Sequence, residues 1–282
     1  MKIKITADSS IDLPKEILEK ENISVVPFNI LLNDKEYLDG VNLTSEEIIS
    51  EYNQSKSLPK TSSISEYGYS EFFKPFVEEG FKVIHFSISS NVSSTFNNAV
   101  RASKEFNGSV CIIDTKSLSG GVGIACLYAA DLIKNEIDFD EIIKRVNEKV
   151  ENLQTSFVIE NLAFLHKGGR CSSLQLLGAN LLKIRPCIEM IDGTMQLTRK
   201  YRGIYSKVCE NYVLETERLS KKPDLNYCVV AHTPIDENIL KSTKDKLTEF
   251  GFKNVIIAKA GATVTSHCGA NTIGIMFFNG EK

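Results

Sequence analysis

Phe81-Lys82-Val83-Ile84-His85-Phe86 runs directly into Ser87-Ile88-Ser89-Ser90-Asn91-Val92-Ser93-Ser94-Thr95. The first six residues read as an apolar strand, and the hydroxyl run that follows reads as a loop in which Ser93 or Ser94 opens the next helix. The same rhythm surrounds this unit. Lys2 to Ala7 alternates and ends at Asp8-Ser9-Ser10, after which Asp12 is placed to cap a helix whose first turn holds Pro14. Ile23 to Leu32 is a second β-rich stretch, and Thr44-Ser45-Glu46-Glu47 is a capping box that predicts a helix to about Tyr52. A second hydroxyl loop, Thr61-Ser62-Ser63-Ile64-Ser65, leads into a helix around Glu66–Glu79 with Phe72, Phe73, Phe76 and Val77 at helical spacing. Val110–Ile113 is the next strand. Ser117 to Gly123 is small and flexible, and helices are expected over Ile124–Lys134 and from Asp138 through Val150. Strands alternating with helices predict a parallel sheet covered on both faces.

The pattern changes from Ser156 onward. Phe157–Ile159 reads as strand, and Asn161–Lys167 as a short helix stopped by Gly168-Gly169. A helix is expected over Ser172–Leu182, then a strand over Ile184–Ile191. Asp192-Gly193 turns it back as a hairpin through Met195–Lys200. A helix at about Ile204–Leu219, a strand at Tyr227–Ala231, a helix at about Glu237–Phe250 and strands at Val255–Ala260 and Thr272–Phe278 complete the chain. The expected fold is α/β in two lobes. Residues 1–155 form an N-terminal parallel-sheet domain carrying the hydroxyl loops. Residues 156–282 form a C-terminal α/β domain with a mixed sheet, carrying Arg170, Arg202 and His267.

Composition narrows the function. At 42% hydrophobic and 24% charged, the 282-residue chain has the balance of a globular protein. A net charge of −3 offers no basic stripe for nucleic acid and no polybasic anchor. No apolar run reaches ~18 residues, so no membrane span is expected. The N-terminus enters a strand pattern without a secretory segment, which predicts a cytoplasmic location. Cysteines 111, 126, 171, 187, 209, 228 and 268 form no CxxC pair and read as reduced core thiols. Histidines 85, 166, 232 and 267 also lack metal-ligand spacing, so no metal site is expected.

Hydroxyls and backbone N–H groups gathered between a strand and a helix suit an anionic head group. Thr61-Ser62 and Ser93-Ser94 converge if both loops lie at one sheet edge, the usual ligand position in open α/β sheets. The plainer reading is that these residues are helix N-caps. Leu165-His166-Lys167-Gly168-Gly169-Arg170 sets a cation after a double-glycine turn but lacks P-loop spacing. Arg170 is either a solvated residue past a helix end or, with Arg202, a contact for phosphate or a protein partner. Ser266-His267-Cys268-Gly269 lies in loop-like surroundings, where His267 either caps or donates to a carboxylate. A triad of Ser93, His267 and Asp114 is the alternative, a serine hydrolase or acyltransferase, although no G-x-S-x-G elbow is present. Gly120-Gly121-x-Gly123 lacks the dinucleotide fingerprint and reads as close helix packing.

Taken together, these segments resemble the DegV family of bacterial fatty-acid-binding proteins over essentially the whole chain. The resemblance is carried by Thr6-Ala7-Asp8-Ser9-Ser10 with Asp12-Leu13-Pro14, Pro59-Lys60-Thr61-Ser62, Ile88 to Phe96, and Asp114-Thr115-Lys116-Ser117. In the second half it is carried by Leu165 to Arg170, Leu181-Leu182-Lys183-Ile184-Arg185-Pro186 and His267-Cys268-Gly269. The resemblance implies one long-chain fatty acid, such as palmitate, stearate or oleate, in a buried apolar tunnel, with no cofactor. Its carboxylate would be held by Thr61, Ser62, Ser93, Ser94 and His267. It implies no catalytic residue, but a carrier that presents the carboxylate to an ATP-dependent fatty-acid kinase for acyl-phosphate formation and phospholipid synthesis. Arg170 and Arg202 would meet that partner or its phosphates, and transient membrane contact is compatible with this role. Three positions depart from the family pattern: Ser94 replaces a usual glycine, Ser63-Ile64-Ser65 replaces Gln-Pro-Ser, and Gly269-Ala270-Asn271 replaces Gly-Pro-Gly.

Overall fold

The structure is a computed structural model that describes residues 2–169 and 184–280. The first half runs β1 (Lys2–Asp8), α1 (Lys15–Lys20), β2 (Ile23–Val26), β3 (Asn29–Leu32), β4 (Lys35–Leu38), α2 (Ser45–Ser55), β5 (Lys60–Ser62), α3 (Glu66–Glu78), β6 (Phe81–Ser87), α4 (Thr95–Ser103), β7 (Val110–Asp114), α5 (Gly120–Lys134) and α6 (Phe139–Val150). The second half runs β8 (Leu153–Ile159), α7 (Ala163–Gly168), β9 (Arg185–Ile191), β10 (Thr194–Tyr201), α8 (Tyr205–Leu219), β11 (Tyr227–His232), α9 (Glu237–Phe250), β12 (Asn254–Lys259), α10 (Ala262–Cys268) and β13 (Thr272–Phe278).

β2-β1-β6-β7 is a fully parallel sheet, and β10-β9-β8-β13-β11-β12 is a mixed sheet in which only β11 and β12 pair in parallel. Alternation along β6 explains the two covered faces. Ile84 and Phe86 join the core built on α5 and α6, whereas Val83 joins Tyr69 and Phe73 of α3. Successive strand residues point to opposite faces, so a fully covered strand is apolar on both.

α5 is the shared layer. It packs on β1 and β6 of one sheet and on β11 and β13 of the other, with nearly every residue from Gly120 to Leu132 buried. Its first turn has no room for side chains: a Cβ on Gly120 would lie 2.3 Å from Val229 Cγ1. The expectation of a flexible segment at 117–123 is therefore corrected, because the glycines open the helix and bring it against the second sheet. Hydroxyl pairs also cross this seam, with Ser117 Oγ 2.6 Å from Thr155 Oγ1.

Three other expectations change. Ile23 to Leu32 is not one strand: it breaks at Pro27, and β3 leaves to form a small antiparallel sheet, β4-β3-β5. The 61–65 loop accordingly begins as strand, with Thr61 opposite Ile30. Asp12 does not cap α1. It sits in the left-handed region (φ 52°), Pro14 takes the N-cap position, and the Asp12 carboxylate turns inward. The helix expected over 172–182 lies outside the described residues. The capping box at Thr44 and the bounds of α9 and β13 agree with the sequence reading.

Gly120→Ala tests the seam. Alanine's helix propensity is worth at most about 1 kcal/mol, while overpacking costs about 1–3 kcal/mol. Urea unfolding is expected to show a net loss of stability; an equal or higher midpoint would show that Val229 yields freely.

Candidate functional site

Three segments meet where the sheets adjoin. β5 brings Thr61, the loop after β6 brings Ser93, and α10 brings His267. The region expected to be loop-like around Ser266 is thus helical. His267 Nε2 stands 2.8 Å from Thr61 Oγ1 across 206 residues of sequence. If the imidazole N–H donates to this hydroxyl, the threonine O–H is left to donate onward to an anion.

The hydroxyl run is mostly self-restraint. Ile88 N donates to Asp8 Oδ2 at 2.8 Å, Ser87 Oγ donates to the same oxygen, and Ser90 N donates to Asp114 Oδ1. Ser89 Oγ donates to Gly193 O at 2.6 Å and Asn91 Nδ2 to Asp192 O at 3.0 Å, so the loop is clasped by the β9–β10 hairpin turn. Ser93 is the hydroxyl of this run that lines the cavity. Asn98 of α4 donates to Ile64 O at 2.6 Å, tying the Thr61 loop to the helix that follows Ser93. No motif marks Asn98 in the sequence.

Thr61, Ser62, Ser93 and His267 all border one cavity of about 620 Å³, counting its mouth. Its walls are apolar, with Phe28, Ile88, Leu118, Phe157, Met195 and Val264. Leu118, Phe157, Val264 and Cys268 also wall a further space of about 270 Å³ that reaches Gly274 and Met276. Such lining residues come from seven separate elements or loops, so sequence periodicity does not reveal them. Ser94 is not brought in: it is exposed at the N-cap of α4 and does not border the cavity. Its φ of −71° is ordinary backbone, so no glycine is required there. Asn271 holds φ +54° and donates from its side-chain amide to Glu160, an anchor for the departing Gly-Ala-Asn turn.

The hydrogen bonds do not assemble a Ser93–His267–Asp114 triad. His267 Nε2 faces Thr61, Asp114 Oδ1 accepts from Ser90 N and Lys116 N, and Ser93 Oγ accepts from Thr95 N. Arg202 is exposed in the turn between β10 and α8. Arg170 lies outside the described residues. The turn before it is described: Gly169 takes the left-handed C-cap position (φ 68°), and Gly168 lies against the His267 imidazole. A Cβ on Gly168 would stand 2.5 Å from His267 Nδ1, so the double-glycine turn and His267 are in direct contact.

Asp8 supplies the local charge. Burial raises its carboxyl and hydrogen bonds from Ser10, Ile88 and Ser87 offset part of the rise, leaving it at about 6. Burial likewise raises Asp12 and Asp39, which lie close by on the same side. Asp39 carried no sequence signal. Among the described residues no helix is long and apolar enough to cross a membrane.

The architecture defines an α/β protein of two large sheets and a small third one, with an apolar cavity bordered by Thr61, Ser93 and His267. A model of the DegV family, described as uncharacterised proteins, matches residues 2–280, and the chain belongs to that family. A DegV domain-containing protein of Staphylococcus aureus is 31% identical over 272 residues, spanning 96% of this chain and 97% of the relative. A Thermotoga maritima protein named a fatty acid-binding protein is 29% identical over 280 residues, spanning 97% and 96%. The crystal structure of a DegV lipid-binding protein from Thermotoga maritima superimposes with a TM-score of 0.85 at 28% identity, covering 100% of both chains.

Asp8 gives a pH prediction. Its folded-state pKa lies above the unfolded value of about 3.9. Its contribution to stability is thus full below about pH 4 and is lost as the pH rises through about 6. The Asp8 carboxyl carbon resonance is expected to titrate near pH 6; a midpoint below 4 would contradict the burial argument.

Proposed function

We propose that the protein binds one long-chain fatty acid such as palmitate, stearate or oleate, with its carboxylate on Thr61, Ser62, Ser93 and His267. The observation that carries this reading is the Thr61–His267 pair at 2.8 Å, set with Ser93 at the mouth of an apolar cavity. Neutral hydroxyl donors can hold a carboxylate without neutralising it. The tail then follows the wall formed by Leu118, Phe157, Val264 and Cys268 toward the inner space. Burying it at ~0.8 kcal/mol per CH₂ supplies most of the affinity. The polar mouth therefore needs only to orient the head group. The names of the Thermotoga maritima relatives, a fatty acid-binding protein and a lipid-binding protein, support the same ligand class. In this reading two lobes, residues 1–155 and 156–282, close on the chain.

The protein is a carrier, and chemistry on the carboxylate belongs to a partner. An ATP-dependent fatty-acid kinase would form the acyl-phosphate for phospholipid synthesis, with Arg170 and Arg202 facing the partner or its phosphates. The contact of Gly168 with His267 supports this arrangement, since it sets the Gly-Gly-Arg turn beside the head group. Cytoplasmic location and transient membrane contact fit a carrier that collects its ligand from a bilayer and delivers it to a soluble partner.

The Thr61→Ala, Ser93→Ala double variant tests the head-group assignment by titration with oleate. Each hydrogen bond to a charged group is worth about 1.5–3 kcal/mol, so affinity is expected to fall by at least about tenfold while apolar binding persists. Unchanged affinity would refute the assignment.

A further inference from the structure

α10 begins on Gly261 and has no capping side chain of its own. Its first amides are satisfied from the opposite end of the sequence. Gly261 N donates to Asp12 Oδ1 at 2.7 Å, and Ala262 N donates to Asp39 Oδ1 at 2.7 Å. Both carboxylates are buried, at 7% and 3% exposure, so neither is a solvated surface group that touches the helix in passing.

Each acid is itself held by its second oxygen. Ser119 Oγ donates to Asp12 Oδ2, and Ser9 Oγ donates to Asp39 Oδ2 at 2.8 Å while accepting from Phe28 N at 3.0 Å. A Cβ on Gly261 would lie 2.8 Å from Asp39 Oδ1, so the carboxylate occupies the space a side chain would need. Ser45 adds a lateral tie, donating from Oγ to Ala260 O and accepting from Thr265 Oγ1 at 3.0 Å.

α10 is only seven residues long. A helix of about two turns does not hold itself together in water, and its unpaired N-terminal amides favour negative charge. At about 1.5 Å per residue, His267 lies about 7.5 Å along the axis from Ala262. Fraying of the first turn would therefore move the imidazole relative to Thr61, which stands on β5.

We infer that Asp12 and Asp39 are positioning residues of the head-group site: two buried carboxylates from the N-terminal part of the chain cap α10 and hold His267 on Thr61. The inference rests on the proposed fatty-acid reading for its functional consequence, but the positioning itself is observable without ligand.

The test uses the full chain and two readouts, the His267 imidazole resonances in the ligand-free protein and oleate affinity. Asp12→Ala and Asp39→Ala are each expected to shift the imidazole resonances and weaken oleate binding by about tenfold. Asp12→Asn and Asp39→Asn keep an acceptor oxygen for the helix amide and are expected to restore most of both. If an alanine variant does not fold, Ser9→Ala and Ser119→Ala release only the far oxygen of each acid and should shift the imidazole less but in the same direction. Imidazole resonances unmoved by these variants, or asparagine variants as impaired as alanine, overturn the inference. His267→Ala separates the two ideas: wild-type oleate affinity there refutes the head-group reading, whereas a shifted imidazole in the aspartate variants still supports the positioning.

Discussion

One buried helix separates two sheets, and the rest of the molecule is arranged around that contact. α5 meets the parallel sheet on one side and the mixed sheet on the other, and its glycine-rich first turn sets how closely they approach. Close packing makes such a seam stiff. The loops that leave both sheets at this level are consequently held at fixed separations, so a threonine and a histidine 206 residues apart can share a hydrogen bond.

The cavity follows from the same geometry. Where α5 begins, Leu118 of the loop after β7 approaches Phe157 of β8, and the space between them is mostly apolar. Thr61, Ser93 and His267 border this space from β5, the loop after β6 and α10. A pocket with an apolar depth and a donor-lined mouth discriminates by shape along the chain and by charge at the head group. The buried acids at Asp8, Asp12 and Asp39 are spent on loop and helix amides rather than aimed into the cavity, which leaves the mouth open to an anion.

Much of the fold was legible because its signals are local. The strand at Phe81, the capping box at Thr44 and the Asp192-Gly193 turn each declare themselves within a few residues. What was hidden depends on distant partners. α10 carries no apolar period and no local cap, since its capping groups are Asp12 and Asp39, more than 200 residues away. Asp12 looked like the cap of its own helix for the same reason. β3 was read as one stretch with β2 although Pro27 divides them, while β4 and β5 were missed because short, mostly polar runs give no strand pattern. At the site, Thr61, Ser93 and His267 were named from the sequence and do border one cavity, whereas Ser94 turns to solvent. The family resemblance named these three together with Ser62 and the misplaced Ser94; local chemistry alone left them between helix caps and anion contacts.

A crystal structure grown with oleate addresses the central claim most directly. The account predicts elongated density along Leu118 and Phe157, with the carboxylate about 2.7–3.2 Å from the Thr61 and Ser93 hydroxyls. Oleate bound elsewhere, or in this cavity with its carboxylate pointing away from those hydroxyls, would contradict it.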